Sequence, residues 1–177
     1  MDHDFRVRSI TADDWDGIVA LEAGAYADCA LSESRAALES RAAASPATCF
    51  VLEHRRRLAG YVLALPYPPF RYPDLSRAED SVFPSTNLHL HDLVIARDLQ
   101  GGGLSRHLLS RLTATARSRR FERISLIAVE GSRPFWAAQG YRPHPDTPLP
   151  QGYGSRAVYM SRSLGPDLPT AAPGARP

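Results

Sequence analysis

The sequence predicts an α/β domain, a mixed β-sheet with helices on both faces. Three observations predict it. The 177 residues suffice for one sizeable core and are few for two. Segments with strand and helix periodicity follow one another as β α α β β β α β α β, with room for one further strand at the end. A triple glycine, Gly101-Gly102-Gly103, joins an apolar strand to an amphipathic helix.

Residues 5–10 alternate apolar and polar, as a strand with one buried face does. Thr11 then caps a helix, with Asp14 at its third position and Asp13 at the positive end, that runs to about Tyr26. A second helix, rich in Ala, Glu and Arg, spans residues 32–44 and stops at Ser45-Pro46. Residues 48–53 and 58–65 read as a hairpin turning at Arg55-Arg56-Arg57. Residues 66–86 form an irregular segment with five prolines and the aromatics Tyr67, Phe70, Tyr72 and Phe83. A loop that long inside a compact domain tends to carry function.

A strand follows at residues 88–95, then the glycines, then a helix over 104–119 with Leu108, Leu109, Leu112 and Ala116 on one stripe. Residues 123–129 form an apolar strand, 132–139 a short helix closing on Gly140, and 157–163 a last strand. The domain thus covers residues 1–164. Residues 165–177, with four prolines, form an expected disordered tail.

Composition excludes several classes. The net charge is +2, the basic residues are all Arg and scattered, and no nucleic-acid reader motif appears. No apolar run reaches the ~20 residues of a membrane span. The acidic start, Met1-Asp2-His3-Asp4, has no apolar core of a signal peptide, so the expected location is cytoplasmic. Cys29 and Cys49 fit no metal-ligand spacing and are expected to be reduced.

The strand–glycine–helix segment carries the chemistry. Glycine lets the backbone approach a ligand closely, and the helix start offers unpaired N–H groups and partial positive charge to a phosphate. A Walker loop is excluded because the chain has no Lys; a dinucleotide fingerprint fails because Arg106 stands where its third glycine belongs. His89 and His91 lie two apart on the strand, facing one side, and an imidazole suits a general base. Two histidines packed without a catalytic part, or a metal pair, are the other readings of that spacing. No further ligand cluster supports a metal.

Gln100-Gly101-Gly102-Gly103-Leu104-Ser105 resembles the Q/R-x-x-G-x-G/A signature of the GNAT (Gcn5-related) N-acetyltransferases, and residues 134–141 resemble that family's F-Y-x-x-x-G-F helix and exit. The element order agrees over about residues 5–163. The resemblance implies the GNAT fold with its splayed sheet, acetyl-CoA as co-substrate, no metal, and transfer to an amine. Leu93, Val94 and Ile95 would pair with the pantetheine arm. Gln100, Gly101, Gly102, Gly103, Leu104 and Ser105 would hold the pyrophosphate, and Ser132, Phe135 and Trp136 would flank the cofactor. His91 is the favoured base, ahead of His89 and Asp92; Asp92 faces the other way unless a bulge intervenes. At Trp136 the sequence departs from the family's Tyr, and indole cannot protonate a leaving thiolate. Tyr141 heads the replacements, with Tyr153 and Tyr159 behind it. The acceptor is expected to be a small-molecule amine, and the protein a monomer or homodimer. A cofactor-binding domain without catalysis is the alternative.

Overall fold

The computed structural model describes residues 4–27 and 29–165. The expected tail lies outside these residues apart from Gly165. The strands are β1 (Phe5–Ser9), β2 (Phe50–His54), β3 (Arg57–Pro66), β4 (Asn87–Ile95), β5 (Arg123–Ala128), β6 (Arg142–His144) and β7 (Val158–Ser163). The helices are α1 (Trp15–Tyr26), α2 (Arg35–Ala44), α3 (Ser105–Ser118) and α4 (Arg133–Ala138). The strands form one mixed sheet in the order β1-β2-β3-β4-β5-β7-β6, antiparallel throughout except for the parallel β4–β5 pair.

Local chemistry sets the element ends. The Asp14 carboxylate accepts the Thr11 amide at 2.7 Å, so a short 3₁₀ turn leads into α1. Ser34 caps α2 by accepting the Ala37 amide at 3.2 Å, two residues later than the predicted start. The hairpin turns on two residues, Arg55 and Arg56, with φ of 49° and 65°. Positive φ at both positions matches the right-handed twist of the flanking strands. The one further strand, the three-residue β6, lies before the predicted last strand and not at the end of the chain; it is too short for periodicity to show.

The sheet separates two cores. On one face α3 presses Leu108, Leu112 and Ala116 against Val62, Leu88, Leu90 and Leu126. On the other, Ile18 of α1 and Leu38 of α2 pack on Val51, Tyr61, Leu63 and Val94. Full burial of each such Leu or Ile side chain contributes about 2 kcal/mol.

β4 departs from regularity twice, and both departures shape the site. Its register with β3 slips at His91: Leu63 faces Asp92, and Ala64 faces Leu90. One extra residue is therefore inserted, a β-bulge. Its pairing with β5 also stops early. Only Asn87, Leu88 and His89 pair, with Arg123, Ile124 and Ser125. Beyond His89 the two strands diverge and a cleft opens between them.

Candidate active site

The cleft has a volume of about 500 Å³. At one end lies the glycine loop. Gly101 and Gly103 take φ of 82° and 72°, a region that side chains with a Cβ rarely enter. Among the described residues, the amides of Gly101, Gly102, Gly103 and Leu104 donate to no backbone carbonyl. They lead straight into α3, where the Ser105 amide likewise donates to no backbone carbonyl, while Arg106 and His107 donate to the Gly103 and Leu104 carbonyls. Such a cluster of free N–H groups at a positive helix end fits a pyrophosphate without a metal. Gln100 shapes the loop more than it reaches outward: its Nε2 donates to the Ile95 carbonyl at 3.0 Å.

The open edge of β4 forms one wall. The Ala96 amide donates to the Ala59 carbonyl of the β3 side at 2.8 Å. Backbone groups alternate in direction along an antiparallel strand, so Val94 also faces β3, whereas Leu93 and Ile95 turn their amides and carbonyls toward the cleft. The Val94 carbonyl indeed lies against Gly60 of β3. Of the three predicted backbone contacts, Leu93 and Ile95 line the cleft; Val94 is spent on the ladder, and its side chain sits in the α1–α2 core. Leu104, Ser105, Ser132, Phe135 and Trp136 complete the walls, and Gly102 does not reach the lining.

The polar centre lies where β4 bulges. The extra residue restores Asp92 to the face of His89, so the condition set by the sequence is met. Asp92 accepts hydrogen bonds from Tyr26 at 2.8 Å and from Tyr61 at 2.5 Å. Burial pushes its carboxyl up to about 6, against the opposing pull of Tyr61, His91 and Tyr26. The His91 side chain is 2% exposed, with Nε2 2.5 Å from Glu33 Oε2. Its Nδ1 is buried, points to no partner among the described residues, and belongs to a ring that lines the cleft. With Nε2–H donating to Glu33, Nδ1 carries a free lone pair directed away from that carboxylate. Burial would raise Glu33, but His91 and Arg41 outweigh it and hold its carboxyl below the ordinary range. Arg41, itself 1% exposed, reaches Glu33 at 2.7 Å, Glu79, and the carbonyls of Asp74 and Arg77 at 2.8 Å each.

His89 takes a different part from that expected. It stands where the β4–β5 pairing ends, with Nδ1 3.0 Å from Ser125 Oγ. Burial, then the charges of His91 and Arg41, push its imidazole down to about 3, so it is a weak base at neutral pH.

Tyr141 is displaced from the expected role of acid. It is buried beside Trp136, ring centroids 5.4 Å apart, and does not line the cleft. Gly140, at φ 88°, ends α4 and turns the chain back into the core at that point. Tyr159 also lies off the cleft, its hydroxyl accepting the Phe70 amide. The tyrosines that do line the cleft are Tyr26, which sequence reasoning passed over, and Tyr153, whose hydroxyl donates to the Pro73 carbonyl at 2.6 Å. Burial raises both phenols, which makes them reluctant acids. The Ser132 hydroxyl accepts the Val129 amide at 3.0 Å and closes the turn into α4.

Glu33 and Arg41 were also missed. In the sequence both read as charges of a solvated helix; a glutamate so near a helix start gives no local sign that its partner is a histidine 58 residues away. Among the described residues no group of three or more His, Cys, Asp or Glu side chains is arranged to hold a metal ion. No described helix is long and apolar enough to cross a membrane.

Comparison with known proteins agrees with this geometry. Ard1 from Thermoplasma volcanium superposes with a TM-score of 0.70 at 10% identity, covering 90% of this chain and 97% of that one. N-acetylglutamate synthase from Neisseria gonorrhoeae, solved with coenzyme A and N-acetyl-glutamate, gives 0.71 at 18% identity over 93% of this chain and 36% of that one. The GNAT-like decarboxylase GphF, solved with isobutyryl-CoA, gives 0.68 at 22% over 90% and 100%. At such identities the likeness shows the fold. The comparison with curated proteins returns no significant match. The model of the acetyltransferase (GNAT) family matches residues 15–141, well over half of the sequence, and the chain belongs to that family.

Proposed function

We propose that the protein is an acetyl-CoA-dependent N-acetyltransferase that acetylates a small primary amine by direct attack in a ternary complex, with His91 as the base. The observation that carries this reading is the buried Nδ1 of His91, without a partner among the described residues, on a ring that lines the cleft and is anchored through Nε2 by Glu33. A buried acceptor with no partner costs stability, and such exceptions concentrate at functional sites.

Acetyl-CoA fits the cleft on two counts. The free amides of the glycine loop and the α3 start suit its diphosphate, and the open edge of β4 suits the amides of its pantetheine arm. When bound, it supplies the acetyl group as an activated thioester. The chain's own groups do the rest. His91 Nδ1 takes a proton from the acceptor ammonium, freeing the lone pair for attack. Glu33 holds the ring in the required tautomer and stabilises the imidazolium that results. The amides of Leu93 and Ile95 are the donors available to oxygen charge that develops along the open edge. After attack the nitrogen sheds a second proton as the C–S bond breaks; of the two protons released, one goes to the departing thiolate and the other, through His91, to water. No tyrosine acid is needed, because a thiol is already fairly acidic.

The test is thiol release at saturating acetyl-CoA across a panel of amines. His91→Gln should lower kcat/KM by roughly 10² to 10⁴-fold while cofactor affinity stays near wild type. Full activity of that variant on a genuine substrate would remove His91 from the role. A binding domain without transfer is the second reading, favoured by the indole at position 136; cofactor binding with no thiol release from any amine would establish it.

A further inference from the structure

A second cavity, of about 570 Å³, adjoins the cleft. Leu75 and Tyr153 line both, so the two spaces meet at these side chains. Its other walls come from the segment between α1 and α2 (Ala30, Ser32) and from the long loop after β3 (Tyr72, Asp74). Two reciprocal bonds tie the loops across it: Tyr153 Oη donates to the Pro73 carbonyl, and Tyr72 Oη to the Pro148 carbonyl, each at 2.6 Å. The glycine loop lies at the other end of the cleft, so this side is left for the acceptor.

The charges around that end are lopsided. Glu22, Glu33, Glu79 and Asp92 are all buried there, against the single guanidinium of Arg41. Arg41 is already bound by two of these carboxylates and two carbonyls. The sequence holds 21 basic residues, all Arg, yet no described arginine lines either cavity. The acids that do line them are Glu33, Asp92 and Glu130 in the cleft and Asp74 in the second cavity. His91 Nδ1, buried and without a partner among the described residues, lies at the same end.

We infer that the acceptor is a small amine carrying no carboxylate or phosphate, admitted through the second cavity and drawn to His91 as its ammonium. The inference rests on the acetyl-transfer reading and narrows its substrate class. An ammonium entering this end meets a surplus of buried negative charge, which attracts it before His91 removes its proton. A free α-amino acid brings a carboxylate two bonds from its amine. That carboxylate would be held among Glu33 and Asp92 with no free guanidinium to receive it, and like charges so placed are strongly rejected. The tie between the two loops favours a compact acceptor over a polypeptide threaded through the opening.

Matched pairs that differ by one carboxylate test this: phenethylamine with phenylalanine, and putrescine with ornithine. Thiol release at saturating acetyl-CoA should give the decarboxylated member a kcat/KM higher by about 10²-fold or more in at least one pair. In coenzyme A-saturated protein the same member should raise the melting temperature and its partner should not. Leu75→Arg, at the junction of the cavities, should cut the preference at least about tenfold by giving a carboxylate a partner. Equal or better use of the amino acids overturns the acceptor class and leaves acetyl transfer standing. A melting shift by the amine without thiol release overturns transfer and upholds the class. Amines that give neither turnover nor shift, a peptide acetylated in their place, or a preference unmoved in Leu75→Arg, each overturn the inference.

Discussion

Arg41 is the residue on which most of the acceptor side depends. It is a guanidinium with almost no exposure, and it joins α2 to the long loop through Glu79, Asp74 and Arg77 and to His91 through Glu33. Removing one partner of a buried pair leaves the others uncompensated, so Arg41→Met should cost about 3–5 kcal/mol in chemical denaturation. Its neighbour Asp92 should behave oppositely. A carboxyl whose folded pKa of about 6 exceeds its ordinary value of 3.8 contributes fully to stability below pH 4 and loses that contribution as pH rises through 6. Asp92→Asn, whose amide can accept from one tyrosine hydroxyl and donate to the other, should therefore be more stable than wild type at pH 8, by on the order of 3 kcal/mol. The advantage should vanish near pH 4; melting curves at the two pH values check both signs. His89 makes a third contrast. Its imidazole, down at about 3, stays neutral through the working range. His89→Gln should therefore leave the shape of the pH–rate profile unchanged.

At the scale of elements, β4 decides the site. Its bulge turns Asp92 to the side of His91, and its early parting from β5 leaves the amides of Leu93 and Ile95 facing the cleft, while the Ile95 carbonyl accepts from Gln100. Gly60 on β3 sets how closely β3 lies against this strand. A Cβ there would come within 2.6 Å of the Val94 carbonyl and 2.7 Å of the Ile95 side chain. Gly60→Ala should thus force the strands apart, costing about 1–3 kcal/mol as overpacking does. It should also weaken coenzyme A binding measurably by calorimetry, because Ile95 lies on the cleft edge. Gly103 tests the opposite end of the same path. Gly103→Glu would strain a backbone at φ 72° and place a carboxylate at the diphosphate position, so the cofactor should no longer raise the melting temperature.

For the whole molecule, the cleft divides a seven-stranded sheet into two leaves joined along β4 and β5 by three residue pairs. A ligand that bridges the leaves should stabilise the fold as a unit. Acetyl-CoA at a hundred times its dissociation constant should add about 2.7 kcal/mol, read as a concentration-dependent rise in melting temperature. An unchanged melting curve at millimolar acetyl-CoA would contradict the cofactor assignment.

Local chemistry was enough for the elements and for one half of the site. Alternation and helical stripes placed β1 to β5, β7 and all four helices within a few residues, because each pattern answers to a single sheet face or helix side. The glycine loop was legible for the same reason: a positive φ and a bare backbone before a helix are conditions that a few consecutive residues satisfy alone. The surroundings of His91 and Asp92 were not. A bulge is a mismatch between two strands, invisible in either one, and it decides which way Asp92 faces. The partners of His91 and Arg41 come from α2, the loop before it and the loop after β3, brought together only by packing. Tyr141 was misplaced because nothing in its own neighbourhood shows whether a ring beside Trp136 turns into the cleft or into the core. Sequence by itself determined the fold, the family and the conformation of the glycine loop, which depend on backbone conformation and periodicity. Tertiary structure alone decided which groups meet His91, Asp92 and Arg41 and the sign of charge around them, because these arise from distances between residues far apart in the chain.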